Sequence, residues 1–198
     1  MLQRNHNFES GTLENSIHFV TSNKNKLREL SNLLQNQLIQ IHLDLNEIQT
    51  CDLKVLVEDK LRQAWKKLGC SVIVEDTSLY FNAWRELPGP MVKWFVENLG
   101  PQGMYQALQN FNNQQARAVC CLGYTSDGET LHLFHGEVEG KIVAPRGSSG
   151  FGWDSIFCPE GTQLSFAEMS EEEKSKFSPR GRSAEMFKDF LVVEEVQN

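Results

Sequence analysis

Ile17-His18-Phe19-Val20-Thr21-Ser22-Asn23-Lys24-Asn25-Lys26 runs from a short apolar segment into a polar turn, and Leu27, Leu30, Leu33 and Leu34 recur behind it at helical spacing. The stretch reads as strand, turn, helix. Working outward, Leu38 to Leu43 is a second strand that ends at Asp44-Leu45-Asn46-Glu47. Leu53 to Leu68 follows a helical pattern with Leu56, Leu61 and Ala64 on its apolar side, and Ser71 to Val74 is a compact apolar strand stopping at Glu75-Asp76. This alternation predicts an α/β fold whose sheet contains parallel neighbours.

The middle of the chain changes character. Pro88-Gly89-Pro90 interrupts it, and Met91 to Leu99 and Gly103 to Phe111 read as two short helices. Ala116 to Thr125 and Thr130 to Val138 read as strands joined by the turn signal Ser126-Asp127-Gly128, a hairpin expected at the edge of a lobe. Gly140 to Asp154 holds four of the fourteen glycines and reads as a shaped loop. Ser170 to Phe190 is charged and helical, with Ser178 as an N-cap and Pro179 at the first helical position.

A length of 198 residues suits one domain with a sizeable core. With 40% hydrophobic and 23% charged residues, the composition is that of a globular protein and not of a disordered chain. No run approaches the roughly 20 apolar residues of a spanning helix. The polar leader Met1 to Ser16 lacks the apolar core of a secretion signal. The expected address is therefore the cytosol, with no membrane partner. The net charge of -7 argues against a nucleic-acid partner, which needs a basic face. Small polyanions remain open, because Lys24, Lys26 and Arg28, and later Lys174, Lys176, Arg180 and Arg182, are local concentrations of cations. Cys51, Cys70, Cys120, Cys121 and Cys158 include no zinc-type pair and read as buried reduced thiols, Cys120 and Cys121 on opposite sides of a strand.

Four clusters carry chemistry, each with a plainer alternative. Thr21 to Lys26, at a helix N-terminus, offers amide donors and a lysine to a phosphate chain, or is simply a capped turn. It is not a P-loop, since the glycines and the Gly-Lys-Ser/Thr ending are missing. Glu47, Glu75 and Asp76 follow strands, where carboxylates hold Mg²⁺ or take a proton from water, or are solvated turn residues. Phe151-Gly152-Trp153-Asp154 forms a flat slot for a base, or packs as core. Lys174 with Ser178-Pro179-Arg180 sets a cation in the first turn of a helix, against the macrodipole, or belongs to a solvated charged face.

Taken in order, these segments resemble the inosine triphosphate pyrophosphatase family. The likeness is carried by Phe19 to Lys26, Val74-Glu75-Asp76-Thr77-Ser78-Leu79, Leu87-Pro88-Gly89-Pro90 with Lys93-Trp94-Phe95, and Gly140 to Gly147. It continues through Phe151 to Asp154 and Phe166-Ala167-Glu168-Met169 with Lys174 and Ser178 to Arg180, so it covers nearly the whole chain after residue 17.

The resemblance implies an elongated mixed β-sheet with flanking helices, in two lobes with the substrate cleft between them. It implies a homodimer that hydrolyses deaminated purine nucleoside triphosphates (ITP, dITP, XTP) to the monophosphate and pyrophosphate, by attack of a metal-activated water on the α-phosphate. This would cleanse the nucleotide pool. Position by position, it implies that Thr21, Ser22, Asn23, Lys24, Asn25 and Lys26 hold the phosphates, with Lys60 reaching in from the second helix. Glu47 and Asp76 would serve Mg²⁺, Asp76 acting also as the base, with Thr77 in support and Lys93 along the substrate. Phe151, Gly152, Trp153 and Asp154 would line the base, and Lys174 and Arg180 would close over it.

Two positions depart from the pattern. Pro179 stands where the family has a histidine resembling a reader of the purine's six-position oxygen, and Ser155 replaces a proline. Proline has no side-chain donor, so a pyrophosphatase of relaxed base selectivity is an alternative, and a non-catalytic nucleotide-binding protein is a third reading. Residues 1–16 lie outside the likeness. They are expected to be a polar extension, disordered or in a partner contact, preceding one two-lobed domain over residues 17–198.

Overall fold

The computed structural model describes residues 17–35 and 38–197; the expectation for residues 1–16 lies outside the described residues. Among these residues, seven strands form one mixed sheet: β1 (His18–Val20), β2 (Ile39–Ile41), β3 (Val72–Phe81), β4 (Pro88–Gly89), β5 (Gln115–Thr125), β6 (His132–Ile142) and β7 (Phe157–Pro159). Their order is β2-β1-β3-β5-β6-β7, with β4 paired to β3. β1 runs parallel to both β2 and β3, whereas β5, β6 and β7 are antiparallel to their neighbours. The flanking helices are α1 (Lys24–Leu34), α2 (Leu53–Leu68), α3 (Val92–Leu108), α4 (Glu171–Phe177) and α5 (Pro179–Gln197).

Alternation along β3 and β5 sorts the core. Val72, Val74 and Tyr80 of β3, with Val119 and Cys121 of β5, pack against Leu53, Leu56, Val57, Leu61 and Ala64 of α2. On the opposite face, Ile73 and Leu122 meet α1 through Leu30 and Leu34 and α5 through Ala184 and Phe187. Further along that face, Leu79, Phe81, Ala116 and Ala118 join Met104 and Leu108 of α3 with Trp153, Phe157 and Phe166. Between these two clusters the inward positions of β3 are Glu75 and Thr77. Charge and a hydroxyl thus stand where continued apolar packing would have closed the gap.

One strand boundary is corrected. The strand that begins at Ser71 does not stop at Glu75-Asp76: β3 continues for ten residues, and Glu75 and Asp76 pair with Leu122 and Cys121 of β5. Buried ladder partners hold these acidic residues in extended backbone regardless of their low strand propensity. In the β5–β6 hairpin, β5 lies between β3 and β6, while β6 has a strand on its outer side only at Gly140 to Ile142, where β7 pairs. The two short helices expected in the middle form α3, broken at Gly100 (φ 66, ψ 169) just before Pro101. Of the five cysteines, all free, Cys120, Cys121 and Cys158 are buried as expected, but Cys51 is exposed and Cys70 half-buried. No helix among the described residues is long and apolar enough to cross a membrane.

Candidate active site

The cleft arises from a mismatch of strand lengths. β1 pairs with β3 only at Val72 and Ile73, and β4 pairs with it only at Leu79 and Tyr80. Residues 74–78 are bonded on one side by β5 and leave the other edge of β3 open to the turn after β1. A cleft of about 600 Å³ runs along that edge. Thr21, Ser22, Asn23 and Lys26 line it, as do Glu47, Lys60, Asp76, Thr77, Lys93, Phe151, Gly152, Trp153, Asp154, Lys174, Pro179 and Arg180. Lys24 and Asn25 do not. Their positions on α1 turn them away from the residues that do.

Alternation puts Asp76 on the α2 face of the sheet and Glu75 and Thr77 on the other, so the open edge gathers two charge systems. On the α2 side, Lys60 Nζ donates to Asp76 Oδ2 at 2.8 Å and to Glu47 Oε1 at 3.1 Å. Burial alone would lower the Lys60 ammonium, but Asp76 and Glu47 outweigh it and raise the group above its ordinary value. The Thr77 amide donates to the other Asp76 oxygen at 2.8 Å.

These carboxylates fit a hard divalent cation. Mg²⁺ takes one or two protein carboxylates and completes its octahedron with water and phosphate, and Glu47 and Asp76 offer oxygen ligands alone. The Lys60 ammonium between them is a resident stand-in for positive charge. Among the described residues no trio of His, Cys, Asp or Glu forms a metal cage.

On the opposite face, Glu75 is buried and carries three partners. Arg180 donates Nε to Oε2 at 2.7 Å and Nη2 to Oε1 at 3.1 Å, Thr77 Oγ1 donates to Oε1 at 2.6 Å, and Lys26 Nζ lies 3.2 Å from Oε1. Burial pushes the Glu75 carboxyl up, but Arg180 and Lys26 overcome it and hold the group well below the carboxylate range. Arg180 also pairs with Glu29, and Glu29 Oε1 accepts from Lys174 at 2.9 Å. Lys174 Nζ in turn donates to Asp154 Oδ2 at 2.7 Å. The first-turn cation of α5 is thus balanced by two acids from other elements, not by solvent. Burial outweighs Lys174 at Asp154 and raises its carboxyl.

Glu29 escaped sequence reasoning. It lies one helical turn beyond Lys26 on a polar face, and only its distant partners mark it.

The aromatic motif divides. Trp153 is nearly buried, its ring 5.5 Å from Phe157 and 6.1 Å from Phe166, so it serves the core while touching the cleft. The half-buried Phe151 ring has Lys174 Nζ at 4.8 Å and the Arg180 guanidinium at 5.8 Å. Its amide donates to Asp154 Oδ2 at 2.8 Å, which fixes the loop. At the other end, Asn23 caps α1: its Oδ1 accepts from the amides of Asn25 at 2.9 Å and Lys26 at 3.2 Å. The capping alternative therefore holds in this state, with the Asn25 and Lys26 amides taken by Asn23. Ser178 Oγ accepts the Gly181 amide at 2.9 Å and caps α5, which brings Pro179 and Arg180 into the cleft.

Comparison with known proteins places the chain among its relatives. The inosine triphosphate pyrophosphatase of Schizosaccharomyces pombe is 43% identical over 187 residues, covering 93% of this chain and 99% of that protein. The enzyme of the same name from Scheffersomyces stipitis is 39% identical over 191 residues, covering 89% and 98%. In fold, the solved Ham1 protein of Staphylococcus aureus superimposes with a TM-score of 0.80 over 90% of this chain and 99% of its own, at 23% identity. The model of the Ham1 family matches residues 17–190, and the chain belongs to that family.

Proposed function

We propose that this protein hydrolyses deaminated purine nucleoside triphosphates (ITP, dITP, XTP) to the monophosphate and pyrophosphate. One observation carries the reading: a single cleft holds two carboxylates bridged by a lysine at one end and an aromatic face flanked by two buried cations at the other. Relatives named for inosine triphosphate favour this reading over the relaxed selectivity suggested by Pro179 and over a non-catalytic nucleotide binder.

In this reading Thr21, Ser22, Asn23 and Lys26 bind the phosphates through side-chain donors, and Lys60 neutralises charge that builds on the transferred group. Asp76, held by the Thr77 amide and Lys60, takes a proton from the attacking water. That water bonds to the α-phosphorus as the bond to the pyrophosphate oxygen breaks. Mg²⁺, held by Glu47 and Asp76, would neutralise phosphate charge and polarise the phosphoryl oxygens. Phe151 stacks on the purine, with Asp154, Lys174 and Arg180 around its edge, and Lys93 lies at the rim. A cytosolic homodimer built of one two-lobed domain completes the proposal on the strength of the family likeness.

The test is pyrophosphate release with Mg²⁺ from the inosine, xanthosine, guanosine and adenosine triphosphates. Preference for the first two supports the reading; equal rates on all four would restore the relaxed one, and no release from any would overturn both.

A further inference from the structure

Lys26 and Arg180 meet on one carboxylate. They stand in the first turns of α1 and α5, and Glu75 is the one carboxylate that both contact among the described residues. The side chain of Glu75 has no exposed surface, against 18% for Lys26 and 6% for Arg180. Of its two oxygens, Oε2 takes a single donor, the Arg180 Nε. Oε1 takes three: Thr77 Oγ1, Arg180 Nη2 and Lys26 Nζ. A carboxylate oxygen has two lone pairs, so the second arm of the guanidinium and the ammonium share acceptor capacity already partly committed to Thr77. Drawing either cation away strengthens the hold of Glu75 on the other, in surroundings where water does not screen the exchange.

We propose that Glu75 is a positioning residue for the hydrolysis, coupling the arginine at the base end of the cleft to the lysine at its phosphate end. A purine that engages Arg180 changes how firmly Lys26 is held, and the phosphates thereby sense whether the base slot is filled. Glu75 need not touch substrate to do this. The inference rests on reading Lys26 as a phosphate contact and Arg180 as a base contact.

Inorganic tripolyphosphate is the decisive probe, because it carries phosphates and no base. Its affinity is measured by calorimetry for the wild type, Arg180→Gln, Glu75→Gln and the double variant, with circular dichroism and thermal melting as folding controls. Without Arg180, Glu75 keeps Lys26 to itself, so Arg180→Gln should weaken tripolyphosphate binding at least about fivefold, within the range of coupled neighbours. In the Glu75→Gln background the same step should change it by less than about twofold. Equal effects in both backgrounds would overturn the proposal, since mere loss of a nearby cation would then suffice; so would no effect in the wild type. If Glu75→Gln does not fold, Glu75→Asp takes its place, its carboxylate drawn back by one methylene and unable to serve both cations. Failure of the wild type to release pyrophosphate from ITP sinks the underlying reading, whereas an active wild type with equal effects sinks only the role of Glu75.

Discussion

Lys60 Nζ lies 2.8 Å from Asp76 Oδ2, joining the second helix to the middle of the third strand across the open edge of the sheet. The pair is mostly shielded, with 12% and 17% of the two side chains exposed. A base for water is useful only if it is aimed, and the ammonium on one oxygen and the Thr77 amide on the other hold the carboxylate in place. Asp76→Asn keeps the shape and removes the basicity. Pyrophosphate release should fall by about 10²–10⁴-fold with an unchanged circular dichroism spectrum. Near-normal turnover would remove Asp76 from the role of base.

The same ammonium competes with any metal ion for Glu47 and Asp76. Lys60→Met should let nucleotide-free protein bind Mn²⁺ about tenfold more tightly, a gain of about 1.4 kcal/mol, as read by electron paramagnetic resonance. Hydrolysis should nevertheless drop, because the phosphates lose a cation. Weaker Mn²⁺ binding in the variant would show that Lys60 organises the carboxylates instead of competing for them.

Asp154 makes a prediction about pH. Burial, only partly offset by Lys174, raises its carboxyl above the ordinary aspartate value of 3.8, so the folded chain holds this proton more tightly than the unfolded chain. The stability it contributes is fully present below that value and lost as pH rises through the raised one. Urea melts of wild type and Asp154→Asn should shift relative to each other in favour of the variant as pH climbs from about 4 to 7. A constant difference would contradict the raised carboxyl.

The two aromatics of the base loop should separate when truncated. Trp153 packs on Phe157 and Phe166, so Trp153→Ala should cost about 3–5 kcal/mol of stability. Phe151 is half-buried and faces Lys174 and Arg180, so Phe151→Ala should melt close to wild type. It should weaken ITP binding by about 1–3 kcal/mol while leaving tripolyphosphate binding alone. Equal losses for both ligands would mean that Phe151 orders the whole cleft.

Gly136 on β6 lets the start of α5 lie against the sheet. A Cβ there would come within 2.0 Å of the Pro179 carbonyl oxygen and 2.7 Å of the Ser183 nitrogen. Both are backbone atoms that cannot swing aside. Gly136→Ala should therefore displace Arg180 from Glu75, costing about 1–3 kcal/mol of stability and lowering pyrophosphate release more than one overpacked methyl elsewhere would. A stable and fully active variant would show that α5 has room to move.

Local pattern alone determined the strand-turn-helix at residue 17, the helix from Leu53 to Leu68 and the capped start at Ser178-Pro179, because periodicity and caps are written in neighbouring residues. Tertiary structure decided what those residues do to one another. Strand pairing carried β3 through Glu75 and Asp76, since a ladder partner far along the chain outweighs local propensity. It sent Trp153 into the core and left Phe151 at the cleft, and it recruited Glu29, 145 residues from Lys174 and 151 from Arg180. Ion pairs of that span have no signature in sequence spacing: they form because the end of β1 and the length of β3 leave one open edge on which oppositely charged side chains must meet.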